Sequence, residues 1–98
     1  MQSSFYADHS LGYVQFAAGS LATAQLLNPP VGTTGIAIKC EAQAVRFTDD
    51  GTTPNATQGF PLAVGETLNY ESSSMPQLRF IQQTAGAILN VIFYGQRV

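Results

Sequence analysis

Apolar residues in this chain come in short runs of period two, each cut off by a turn signal, and that pattern leaves room for little except β-structure. Residues 36–42 are the clearest case. Ile36, Ile38, Cys40 and Ala42 fall on one side and Ala37, Lys39 and Glu41 on the other, as in a strand with one buried face. Residues 11–18 repeat the pattern, with Val14, Phe16 and Ala18 against Tyr13, Gln15 and Ala17. In residues 66–70 Leu68 and Tyr70 share a side, and in residues 77–83 Leu78 and Phe80 face inward with Arg79 outward. Residues 21–27, LATAQLL, read as a return strand after the Gly19-Ser20 turn, although their alanines and leucines also suit a short helix. Pro61 to Gly65 is a short apolar stretch closed by a glycine turn.

Between the runs lie Asn28-Pro29-Pro30, Asp49-Asp50-Gly51-Thr52-Thr53-Pro54, Glu71 to Pro76, and Thr84-Ala85-Gly86. Proline cannot donate to a ladder, and Asp-Gly favours positive φ, so each interrupts pairing. About seven or eight short strands with such spacing predict a single antiparallel β-sandwich or jelly-roll-like domain. Residues 1–10 read as an N-terminal arm and residues 11–98 as the domain. The arm carries Phe5 and Tyr6, two aromatics expected to dock on this domain or on a neighbour.

Two details sharpen the reading. The inward positions are even through Cys40 and odd from Val45 and Phe47 onward. Side chains alternate strictly along a strand, so the switch requires a β-bulge or a short corner near Gln43–Ala44. The last strand, 87–94, is apolar on both faces: Leu89, Val91 and Phe93 on one, Ile88, Ile92 and Tyr94 on the other, interrupted by Asn90. A strand buried on one side only has no use for that second set. The second face is therefore expected to be covered within the domain or by another subunit.

Chemistry is sparse. Six acidic and four basic residues give a net charge of −2, which offers nucleic-acid phosphates or an anionic membrane no attraction. No run is long and apolar enough to span a bilayer. The single cysteine, Cys40, cannot form a disulfide within the chain and reads as a small buried hydrophobe. The single histidine, His9, lies in the arm, and no catalytic set or metal ligand set is apparent around it. Asp49-Asp50 lacks the spaced acids of a calcium loop, and Asn55-Ala56-Thr57 matches a glycosylation pattern that nothing else supports. No catalytic, cofactor or metal residue is assigned. Arg46 and Arg79, outward on different strands, are expected either to pair with acids such as Glu66 and Glu71 or to anchor a subunit interface.

The stretch from Gly35 to Gly95 resembles a small β-domain that recurs in virion structural proteins of tailed bacteriophages. The residues that carry the likeness are AVRF-TDDGT-P, the G-PLAVGETL run and the ending LRFIQQTAGAILNV-FY. The resemblance implies a non-enzymatic particle component, foremost a capsid decoration or cement protein made in the bacterial cytoplasm and carried in the virion. It implies as partners further copies of the chain, in a trimer or secondly a dimer, together with the major capsid protein or another virion protein. The interface would draw on Phe5, Tyr6, Arg46, Arg79, Ile88, Ile92 and Tyr94. The competing expectation is a carbohydrate- or receptor-binding module of a fibre or tail, with Tyr13, Tyr70 and Tyr94 as candidate sugar platforms.

Overall fold

The computed structural model describes residues 8–17, 19–71 and 75–96. Eight strands form: β1 (Asp8–Phe16), β2 (Gln25–Leu26), β3 (Thr33–Glu41), β4 (Val45–Thr48), β5 (Phe60–Leu62), β6 (Thr67–Tyr70), β7 (Arg79–Gln82) and β8 (Ile88–Gln96). They build two antiparallel four-stranded sheets, in the orders β1-β8-β3-β6 and β2-β7-β4-β5. First pairs with last, second with seventh, third with sixth and fourth with fifth. This is the pairing of a long hairpin rolled onto itself, and it defines a jelly roll. Only the β4–β5 connection stays within one sheet; every other one crosses between the two.

Alternation decides which side chains fill the sandwich. Ile36, Ile38 and Cys40 of β3 face Leu89, Val91 and Phe93 of β8 in register, and all six are buried. Val45 and Phe80 close the core from the second sheet with no exposed surface, and Phe47 stacks on Phe80 with ring centroids 5.2 Å apart. Two single turns of 3-10 helix, Ser20–Ala22 and Met75–Gln77, insert Leu21 and Met75. Dense apolar burial of this kind, at roughly 25 cal/mol per Å2, is the main favourable term for a small domain.

The parity switch is resolved by a corner rather than a bulge. β3 ends at Glu41, Ala42 adopts a left-handed φ of 69°, and the chain enters the other sheet at Val45. Cys40 caps the corner by donating to the Gln43 carbonyl at 2.7 Å, and burial pushes its thiol pKa up.

Two local expectations are corrected. Residues 21–27 are not a return strand against β1. They hold the first 3-10 turn and a two-residue strand that pairs with β7 in the opposite sheet. Thr23 between them is extended, so the segment crosses the sandwich instead of reversing beside β1. β1 begins at Asp8 opposite Gln96, so residues 8–10 belong to the sheet and not to the arm. Phe5, Tyr6 and Ala18 lie outside the described residues.

Candidate functional site

The outer face of the β1-β8-β3-β6 sheet is set by the same alternation that fills the core. One row across the strands is Tyr13, Ile92, Ala37 and Asn69; the next is Gln15, Asn90, Lys39 and Thr67. Tyr94 stands beside Gly35 and Ile88 beside Glu41. Ile88, Ile92 and Tyr94 thus point away from the core, as their parity predicts, and remain half-buried among outward neighbours. Tyr13, on the edge strand, is 60% exposed.

Small residues on β3 make this face concave. Gly35 and Ala37 floor a hollow of about 530 Å3 walled by Tyr94 on one side and Asn69 on the other. A second hollow of about 440 Å3 meets it at Ala37 and continues past Ile92 and Tyr13 toward Lys39 and Glu41. The result is a shallow trough along β3, apolar in its middle, with Lys39 and Glu41 at one end and Glu71 beside Gly35 at the other.

Four polar side chains on the face are joined in one network. Asn90 is the hub: its Oδ1 accepts from the Tyr13 hydroxyl at 2.7 Å and from Gln15 Nε2 at 3.0 Å, and its Nδ2 donates to Glu41 Oε1 at 2.6 Å. The Asn90 that interrupts the apolar outer side of β8 therefore supplies the hydrogen bonds that let this face lose water cheaply, since a buried polar group is costly only when unpaired.

The other outer face is covered in part by the chain itself, while Leu26 of β2 and Pro61 of β5 on it are exposed. Arg46 Nε donates to the Ala56 carbonyl at 3.2 Å and its Nη1 to the Gly59 carbonyl at 2.8 Å. Arg79 Nη1 donates to the Gly51 carbonyl at 3.3 Å and to Thr53 Oγ1 at 3.1 Å. The two arginines strap the β4–β5 loop across the β2-β7-β4-β5 sheet, with Pro54 buried beneath it. Gly59 permits the close approach: a Cβ there would meet Arg46 Cβ at 3.0 Å and Pro54 Cβ at 3.2 Å, at a φ of +138°. Within the described residues, then, neither arginine pairs with Glu66 or Glu71. Both hold main-chain and hydroxyl oxygens of a loop, acceptors that sequence spacing does not reveal.

Asp49 and Asp50 also do local work. Asp50 Oδ1 accepts from Thr52 N and Thr52 Oγ1, and hydrogen bonds from Thr52, the side chain's foremost, hold its carboxyl below the usual range. Asp49 accepts from the Tyr70 hydroxyl. His9 is exposed on β1. Among the described residues no three His, Cys, Asp or Glu side chains gather in a way that could hold a metal ion.

Sequence reasoning passed over one conspicuous residue. Phe60, just ahead of the Pro61 to Gly65 stretch, begins β5 and is 69% exposed. Its period-two signal is a single contact, with Phe47 opposite it across the strands, which a lone sequence cannot display.

The likeness to a bacteriophage β-domain rests on the quoted runs alone, because comparison with known proteins finds no matching family model, no matching curated sequence and no matching solved structure.

Proposed function

We propose that this chain is a non-enzymatic assembly module that works as a homo-oligomer, using the outer face of the β1-β8-β3-β6 sheet as its subunit contact. The observation that carries the reading is the contrast between that face and its counterpart. One is partly roofed by the β4–β5 loop; the other presents Tyr13, Ile88, Ile92 and Tyr94 around a trough, with Tyr13, Gln15 and Glu41 joined through Asn90. Three nine-residue strands and the four-residue β6, at about 4.8 Å between strands and about 3.4 Å per residue, give a face with a plan area of roughly 500 Å2. Before side-chain relief, that is over half of the ~800 Å2 that each partner contributes to a standard interface.

A second copy is taken as the occupant because the resemblance implies a homo-oligomer. A two-fold axis through the middle of the trough, at Ala37, packs the face on itself with each copy's Ile92 against the other's. A face packed on itself in this way gives an isologous dimer, which makes the dimer the first choice here and the trimer the second.

The setting proposed for the assembly is a bacteriophage particle, where the module would cement shell subunits through several weak contacts acting together. The support is the resemblance of residues 35–95, together with the use of jelly rolls in viral shells; the second is an analogy of fold, not of site. Sedimentation of the full chain over about a hundredfold range of concentration tests the contact, because mass action makes an oligomer concentration-dependent. The expected result is a discrete dimer or trimer; a monomer throughout overturns the reading. Labelling of particle shells by an antibody against the chain tests the setting, and unlabelled particles would remove it.

A further inference from the structure

At the edge where β5 and β6 lie, a hollow of about 440 Å3 is lined by residues of both sheets, with Phe47, Phe60 and Tyr70 as its aromatic walls and Thr48, Asp49 and Asp50 as its polar side. The aromatic wall is anchored in the core. Phe60 leans on Phe47 with centroids 5.4 Å apart, and Phe47 in turn stacks on the fully buried Phe80. The exposed ring is therefore the outer end of an aromatic column rooted in the core, held in place although most of its surface meets water.

The polar side has an unusual bias. The Tyr70 hydroxyl donates its proton to Asp49 Oδ2 at 2.5 Å, and the Thr48 hydroxyl donates to the Thr52 carbonyl at 2.6 Å. Asp50 is fixed by two hydrogen bonds from Thr52 to one oxygen. The hydroxyl protons at the site are committed, so these side chains offer acceptors and two negative charges but no donor.

We propose that this hollow binds an organic cation, an alkylammonium or guanidinium group, seated against the Phe60 ring and held by Asp49 and Asp50. An aromatic face attracts a cation through its quadrupole, and carboxylates form their strongest hydrogen bonds with charged donors. Anions are repelled. A sugar brings as many acceptors as donors and meets no side-chain donor here. The site lies at a sheet edge, apart from the proposed subunit contact, and its test does not depend on that contact.

The cation can be a free metabolite or an arginine or lysine side chain of a partner protein, and the experiment separates them. The full-length chain, 15N-labelled, is titrated with agmatine, with N-acetylarginine methylamide and with methyl glucoside, following amide shifts. Saturable shifts confined to the neighbourhood of Phe60, Asp49 and Asp50 are expected with the guanidinium compounds. Phe60→Ala and Asp50→Asn should each weaken them about tenfold, with the remaining spectrum unchanged as the check on folding. Binding of both guanidinium compounds supports recognition of the cation itself; binding of the methylamide alone supports a protein side chain as its source. No saturable shift with either compound overturns the proposal. So does equal binding of methyl glucoside, or binding unaltered in both variants.

Discussion

On the β2-β7-β4-β5 sheet the outer face lies in part under the chain's own β4–β5 loop, pinned by Arg46 and Arg79, whereas on the β1-β8-β3-β6 sheet the outer face carries Tyr13, Ile88, Ile92 and Tyr94, and no loop among the described residues is strapped across it. Both sheets have an inner face that fills one core, so the difference lies wholly outside it. A chain of 98 residues has little interior to share. Here one face is finished by a loop of the same chain, with guanidinium donors placed to satisfy its carbonyls. The other is concave, apolar at its centre and internally hydrogen-bonded through Asn90, features suited to contact with another protein surface. What the contrast teaches is that the two arginines among the described residues hold a loop of their own chain, and that the face proposed for assembly carries neither.

The largest effect that can break this comparison is a charge in the middle of the bare face. Ile92→Asp should weaken self-association by about a hundredfold or more, since an unpaired carboxylate cannot be buried in a contact without a large desolvation cost. The subunit should keep its β circular dichroism, because Ile92 points away from the core. Sedimentation equilibrium of the variant beside the parent reads both outcomes, and undiminished association would move the contact elsewhere. Arg46→Ala acts on the roofed face and should have the opposite signature. Loss of two charge-assisted hydrogen bonds to Ala56 and Gly59 should lower subunit stability by about 2 kcal/mol in urea unfolding, with oligomer mass unchanged at concentrations where the fold persists.

Asn90→Ala is expected to be milder for the subunit and selective for the bare face. It deprives Tyr13, Gln15 and Glu41 of their shared partner, so self-association should fall about tenfold while the unfolding midpoint moves little. A midpoint that falls as far as in Arg46→Ala would show Asn90 to be a folding residue instead. The smallest effect concerns the corner that joins the two sheets. Burial raises the Cys40 pKa above its ordinary 9.0, so the folded state favours the neutral thiol. Its contribution to stability is complete below that ordinary value and is lost as pH rises through the raised one. The native thiol should accordingly react slowly with a disulfide reagent at neutral pH, and Cys40→Ala should flatten the alkaline fall in stability. Rapid labelling of the folded chain would contradict the buried corner.

Much of this was legible in the sequence, for a definite physical reason. Side-chain parity is a local property, so the inward Ile36, Ile38 and Cys40 of β3, the inward residues of β4, β7 and β8 and the outward Ile88, Ile92 and Tyr94 could be read residue by residue; Ala42, expected beside Cys40, is instead turned out to solvent by the corner. The break in parity between Cys40 and Val45 located the corner because no regular strand can accommodate it. Pairing is not local. That β1 lies beside β8, and that the segment after Gly19 crosses to the other sheet rather than turning back, depends on how distant runs share one core. The roles of Arg46 and Arg79 were hidden for a related reason: their acceptors are mostly main-chain carbonyls, which every residue possesses. Phe60 was obscured because it opens a strand of three residues, too short to display alternation, and its aromatic partner Phe47 lies on another strand.

The most direct measurement of the central claim is hydroxyl-radical footprinting of the full chain at dilute and concentrated protein, with Phe60 as an internal reference on a surface outside the contact. The account predicts that Tyr13, Ile92 and Tyr94 become protected together as concentration rises, while Phe60 keeps its reactivity. Equal reactivity of Tyr13 and Tyr94 at both concentrations, relative to Phe60, would contradict it.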